Sequence, residues 1–242
     1  MYKNYIFDFY GTLVDIHTNE GKATLWKNFS NLISMHGAVY KPLELKKAYA
    51  RLVCEAVKAV PSQSYTIKPE PQLFSVFEAL YKEKGVNASN DLVRFTAMAF
   101  RALSLDYIKK YDGVDELFET IRKNNGRIYL LSNAQRVFTE PEIRLVGLYD
   151  QFDDIFISSD CGCAKPDPLF FEALLEKYNL NRAESIMIGN DYISDIQGAY
   201  NVGLDSLYIH TAVSPAIEGE LRAKYIVMSG DMHEVTSTLF GD

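Results

Sequence analysis

Cysteine is scarce in this chain: Cys54, Cys161 and Cys163 are the only three among 242 residues. An odd number in a chain of this size offers no disulfide framework and suits a reducing compartment, so the cytoplasm is the expected location. A basic excess is lacking as well. The net charge is −7, which argues against a nucleic-acid-binding surface, since such surfaces are basic. No stretch approaches ~20 uninterrupted apolar residues, so no membrane span is expected. The N-terminus begins directly with a strand pattern, so no signal peptide is expected either. Repeats and low-complexity tracts are missing. Cys161 and Cys163 flank Gly162, but no partner Cys or His stands near them to complete a metal or redox centre.

What is present is hydrophobic content of 48%, enough for one sizeable core and a small accessory unit. After Asp15, Leu25, Trp26, Phe29, Leu32 and Ile33 recur at helical spacing within residues 20–36, and a second periodic stretch runs from Pro42 to Val60; both predict amphipathic helices. The segment Pro61 to Pro71 holds three prolines and predicts a loop. Helical patterns follow from Gln72 to Lys84 and from Asn90 to Lys110. Beyond Gly113 the pattern alternates, with strands predicted near Arg127 to Ser132, Asp154 to Ser158, Ser185 to Gly189, Ser206 to Ile209 and Tyr225 to Val227. Such alternation predicts an α/β fold with a parallel sheet and crossover helices.

Chemistry-bearing side chains gather at strand ends. The segment YIFDFYGTLVD ends an apolar run in Asp8, followed by Tyr10, Gly11 and Thr12. A carboxylate at the carboxyl end of a buried strand sits where open α/β sheets bind ligands; the competing reading is an Asp that caps the next turn. RIYLLSNAQ repeats the geometry and ends in Ser132 and Asn133. In CAKPDPLFFEALLEKY, Lys165 stands at the entry to an amphipathic helix. In SIMIGNDYISDIQGAYNVGL, a strand is followed by Asp191 and, four residues on, Asp195; acids at that spacing share one helix face. The structural alternative for this pair is a helix N-terminal acid plus a solvated one.

In order and placement these segments resemble the four motifs of the haloacid dehalogenase superfamily of hydrolases. The resemblance spans nearly the whole chain. It implies a Rossmann-like parallel-sheet core, residues 1–15 and 96–242, with an inserted all-helical cap, residues 16–95. It carries the family's nucleophile to Asp8, its Ser/Thr to Ser132, its Lys to Lys165 and its fourth-motif acids to Asp191 and Asp195. One position departs from the phosphatase pattern: the second acid of Asp-x-Asp, a general acid and base, is replaced here by Tyr10. Asp-x-Tyr-Gly-Thr-Leu looks more like the first motif of the 2-haloacid dehalogenase branch.

A carboxylate attacks a phosphoryl group only if repulsion is removed, and Mg²⁺ suits that task, held by one or two carboxylates, a carbonyl and waters. Asp8, Asp191 and the backbone carbonyl of Tyr10 are the expected metal ligands. Asp195 would act through water or by orienting Lys165. Lys165, Thr12 and Ser132 would hold phosphoryl oxygens; Asn133 joins the catalytic set by its position beside Ser132. Tyr10, with a phenol pKa of about 10, is a poor base at neutral pH. The expected substrate is a small phosphorylated molecule. Two other readings stay open. A dehalogenase explains Tyr10, but it needs no metal and relies on a cap arginine for the halide; Arg51 and Arg94 lie in the helical block in no setting that identifies them with that role. A feeble phosphate-binding regulatory protein is the non-enzymatic alternative. His17, near the hinge to the helical block, is read as a linker histidine with a possible substrate contact as its alternative.

Overall fold

The computed structural model describes residues 1–60 and 70–241. In chain order the first elements are β1 (Asn4–Phe7), β2 (Val14–Thr18), α1 (Ala23–Met35), α2 (Pro42–Ala59), α3 (Leu73–Lys82), α4 (Asn90–Ser104) and β3 (Leu105–Lys110). They are followed by α5 (Val114–Lys123), β4 (Arg127–Ser132), α6 (Arg136–Leu145), β5 (Asp154–Ile157), the short α7 (Ser158–Cys161) and α8 (Pro168–Lys177). The chain closes with β6 (Ser185–Gly189), a π-helical turn at Tyr192–Gln197 that runs into α9 (Gly198–Asn201), β7 (Asp205–Ile209), β8 (Tyr225–Val227) and α10 (Met232–Phe240). No helix among the described residues is long and apolar enough to cross a membrane.

Six strands form one parallel sheet in the order β5-β4-β1-β6-β7-β8, the Rossmann-like arrangement expected. Strand β1 lies inside it, buried at all four positions, because apolar side chains on both of its faces meet helices. One face packs Phe7, Leu130 and Ile188 with Leu117, Phe118 and Ile121 of α5. The other packs Ile6, Leu131 and Met187 with Phe170, Phe171 and Leu174 of α8.

Helices α1 to α4 have a core of their own. Trp26, Phe29, Tyr49, Phe77 and Phe100 stack around one another, with Phe29 and Phe100 ring centroids 5.1 Å apart and Tyr49 and Phe100 4.8 Å apart. Val137 and Phe138 of α6 join this cluster, so the helical layer is seated on the core through α6.

Two expectations need correction. The helix predicted from Asn90 to Lys110 ends at Ser104, and Leu105–Lys110 is a strand, β3, paired antiparallel with β2. The pairing supplies ladder bonds that local periodicity does not anticipate. The second is the division between residues 95 and 96, which falls inside the unbroken α4, whose Val93, Ala97 and Phe100 all pack in the helical cluster. Of the predicted loop at Pro61 to Pro71, residues 61–69 lie outside the described residues.

Candidate active site

Parallel strands end at the same edge, so side chains far apart in sequence meet there. Asp8 follows the last residue of β1, Ser132 closes β4 and Gly189 closes β6. The amide of Asp8 donates to the carbonyl of Ile188 at 3.0 Å, which extends the ladder by one residue and fixes the carboxylate at the sheet rim.

Lys165 joins the two acids. Its Nζ lies 2.7 Å from Asp8 Oδ1 and 2.7 Å from Asp195 Oδ1, and the residue is 4% exposed. Burial alone would lower the ammonium pKa, but two carboxylates outweigh it and raise the pKa, so the side chain stays charged. Asp195, also fully buried, is pushed up to about 7 by burial, against the pull of Lys165 and with the repulsion of Asp8. Asn133 holds the lysine's backbone on both sides: the Lys165 amide donates to Asn133 Oδ1 at 2.7 Å, and Asn133 Nδ2 donates to the Lys165 carbonyl at 2.8 Å. Ser132 Oγ donates to Asp8 Oδ1 at 3.4 Å and Thr12 Oγ1 to Asp8 Oδ2 at 3.3 Å. Asp8, Thr12, Ser132, Asn133, Lys165 and Asp195 are thus brought together.

Asp191 caps the π-helical turn. Its Oδ1 accepts from the amides of Ile193 at 2.9 Å and Ser194 at 3.0 Å, and its Oδ2 from Ser194 Oγ at 3.0 Å. Its own amide donates to Asp195 Oδ2 at 3.0 Å. This packing is possible because Gly189 lacks a side chain: a Cβ there would stand 2.2 Å from Asp195 Oδ2. Gly11, at φ +79°, turns the chain after Asp8, and a Cβ on it would meet Asn190 Nδ2 at 2.4 Å and Val213 Cγ2 at 2.9 Å.

Tyr10 is held elsewhere by its hydroxyl. The phenol donates to Glu142 Oε2 and lies 2.8 Å from Thr139 Oγ1, both on α6. Glu142 in turn pairs with Arg101 of α4, Nε to Oε1 at 2.6 Å, and its side chain is only 5% exposed. Burial and the charge of Glu142 raise the phenol pKa well above its usual value, so Tyr10 keeps its proton. Arg101, Thr139 and Glu142 escaped the sequence reading.

These groups border a cavity of about 230 Å³ whose lining includes Asp8, Tyr10, Lys165, Asp191, Val213 and Pro215. No three His, Cys, Asp or Glu side chains are gathered into a metal cluster among the described residues, so a cation held by Asp8 and Asp191 needs a main-chain oxygen as well. The carbonyl of Tyr10 accepts no hydrogen bond from the described residues, whereas that of Phe9 takes three amides and that of Gly11 takes Thr211 Oγ1. Asp8, Tyr10 and Asp191 all border the cavity, and two carboxylates with a main-chain carbonyl form an all-oxygen set that suits a small hard divalent ion.

Other candidates lie apart. His17 is exposed, pairs with Asp106 at 2.9 Å and stacks on Tyr107. Arg51 is bound to Glu55 and Glu83, and Arg94 is exposed. Cys161 is exposed and Cys163 buried. Val213 and Pro215, on the segment after β7, carried no sequence signal, whereas Asn190 was in plain view within Gly-Asn-Asp.

A pyrimidine 5'-nucleotidase of Streptococcus pneumoniae is 23% identical over 236 residues, 90% of each chain. A glyceraldehyde 3-phosphate phosphatase of Pyrococcus abyssi is 26% identical over 212 residues, 86% of this chain and 81% of that one. Among solved structures, a 2-haloacid dehalogenase from Pseudomonas syringae superposes with a TM-score of 0.65 at 17% identity, covering 99% of this chain and 98% of that one. The HAD-hydrolase YfnB of Bacillus subtilis, bound to magnesium, superposes with a TM-score of 0.55 at 19% identity, covering 98% of both. These structural likenesses show a shared fold. The model of the haloacid dehalogenase-like hydrolases matches residues 2–203, and the chain belongs to that family.

Proposed function

We propose that this chain is a Mg²⁺-dependent phosphatase that hydrolyses a small phosphate monoester through an aspartyl phosphate on Asp8. The observation that carries the reading is the buried bridge of Lys165 between Asp8 and Asp195. A nucleophilic carboxylate beside a charged ammonium meets a phosphate dianion with its repulsion reduced. Asp8, Asp191 and the Tyr10 carbonyl would hold Mg²⁺, which supplies further neutralisation of the phosphoryl oxygens. The helical layer, taken as residues 19–104, would serve as the cap.

The chain's own residues then divide the work. An Asp8 oxygen attacks phosphorus while the ester oxygen leaves, and Lys165, Thr12 and Ser132 hold the phosphoryl oxygens in line. Asn133 positions Lys165, and Asp195 fixes its ammonium. Water then attacks the acyl phosphate, releasing inorganic phosphate and restoring the carboxylate. Tyr10, tied to Glu142, neither protonates the leaving oxygen nor activates this water, so good leaving groups depart readily and breakdown is slow. The names of the two sequence relatives, both phosphate-monoester hydrolases, support the same chemistry. A halide displacement lacks its cradle: no arginine lines the cavity among the described residues.

Turnover of a panel of phosphate esters with and without Mg²⁺, run beside 2-chloropropionate, is the test. Metal-dependent phosphate release is expected. Chloride release at a comparable rate would replace the reading with the dehalogenase.

A further inference from the structure

The cavity beside Asp8 has an apolar wall outside the helical layer. Val213 and Pro215 line it from the segment between β7 and β8, whereas no residue of α1 to α4 among those described does so. Val213 is 46% exposed although apolar, and it lies directly over the turn after the nucleophile, since a Cβ on Gly11 would come within 2.9 Å of its Cγ2.

That wall is pinned to the catalytic loops. Thr211 Oγ1 donates to the Gly11 carbonyl at 2.7 Å. The Thr211 amide donates to Ser214 Oγ at 2.9 Å, and Asn190 Nδ2 reaches the same Ser214 oxygen at 3.3 Å. The segment is thereby tied both to the turn after Asp8 and to the loop after β6, so Val213 and Pro215 sit at a fixed height above the reacting carboxylate.

The charge of the cavity points the same way. Asp8, Asp191 and Asp195 line it, and Lys165, its cation among the described residues, is already shared by Asp8 and Asp195. With Lys165 so engaged, and with Mg²⁺ taken by Asp8, Asp191 and the phosphoryl group in the proposed reaction, a second anionic group on a substrate would find no free cation among the described lining residues and would face two apolar side chains. A neutral carbon surface would instead cover Val213 and Pro215 and exclude water from the site. The volume of about 230 Å³ lies below the ~300–1,000 Å³ of pockets for drug-sized ligands, which fits a compact organic group.

We infer that Val213 and Pro215 determine specificity, by seating the uncharged, apolar part of a phosphate monoester whose leaving group carries no second anion. This rests on the phosphatase reading for its substrate class and extends it to the leaving group.

The test uses matched aryl compounds. The kcat/KM of phenyl phosphate is compared with that of 4-carboxyphenyl phosphate in the wild type, Val213→Lys and Pro215→Ser. Dissociation constants of phenylphosphonate and 4-carboxyphenylphosphonate are measured in parallel with Mg²⁺ present. The wild type should favour the uncharged member of each pair by about tenfold or more. Val213→Lys should bring both ratios near unity or invert them, and Pro215→Ser should reduce both without inversion. Both side chains stand at the cavity surface, so unchanged thermal unfolding is expected and is checked by circular dichroism. Ratios that stay the same in both variants, a wild type that prefers the carboxylated members, or binding of neither phosphonate overturns the inference. Absence of turnover alongside the predicted phosphonate preference defeats the phosphatase reading and leaves the apolar wall standing.

Discussion

Arg101→Met removes the cation that joins the helical layer to the core, and the structure sets the size of the effect. Glu142, 5% exposed, would keep the Tyr10 hydroxyl but lose Arg101, itself 17% exposed. Stranding one member of a buried ion pair costs ~3–5 kcal/mol, and the retained phenol and partial exposure of the arginine place this case near 3 kcal/mol. For a chain of this length each kcal/mol moves Tm by roughly 2–4 °C, so a fall of about 6–12 °C is expected. Replacing both partners by apolar groups should recover most of the loss, because no buried charge is then left unpaired. In Arg101→Met/Glu142→Leu, Tyr10 retains Thr139 Oγ1 at 2.8 Å. Thermal and urea unfolding followed by circular dichroism reads both variants. A single substitution costing less than about 0.5 kcal/mol, the scale of a surface change, would refute the buried-pair reasoning. So would a double variant whose loss equals or exceeds that of the single.

Three further outcomes follow from the site geometry. Gly189→Ala places a Cβ 2.2 Å from Asp195 Oδ2, so Asp195 must move off Lys165, and turnover of p-nitrophenyl phosphate should drop by about a hundredfold or more; a drop under tenfold contradicts the tight packing. Asn133→Ala frees the Lys165 backbone, and kcat should fall more than KM rises if Asn133 acts by positioning; a change confined to KM contradicts this. Calorimetric titration with Mg²⁺ should show a strong loss for Asp191→Asn and almost none for Tyr10→Phe, since only the Tyr10 carbonyl is assigned as a ligand; a large loss for Tyr10→Phe contradicts that assignment.

The parallel core was legible because its strands are short and apolar, and three of them, β1, β4 and β6, lead into or end in Asp8, Ser132 and Gly189. The predicted segments Arg127–Ser132, Ser185–Gly189 and Tyr225–Val227 coincide with β4, β6 and β8. Strand β1, whose unbroken apolar run marks a strand buried on both faces, lies inside the sheet. Leu105–Lys110 misled because Phe100, Leu103 and Tyr107 continue a helical spacing, and only pairing with β2, some 90 residues earlier, makes it a strand. Asp8, Ser132, Lys165 and Asp195 could be named because each belongs to a local string with its own turn or helix entry. The Tyr10 hydroxyl could not be placed: its partner Glu142 is 132 residues away, and a Glu within a helix that also holds Pro141 carries no sign of a buried ion pair. Val213 and Pro215 were silent for the same reason, since their role comes from the tether of Thr211 to Gly11, 200 residues apart.

The most direct measurement is rapid-quench kinetics of the Mg²⁺-loaded protein with p-nitrophenyl phosphate, with mass spectrometry of the trapped chain. Attack by Asp8 with Tyr10 unable to assist breakdown predicts a burst of p-nitrophenolate and phosphate on the peptide that contains Asp8, both lost in Asp8→Asn. Steady phosphate release that survives Asp8→Asn without deamidation, or a trapped phosphate on another residue, would contradict Asp8 as the nucleophile.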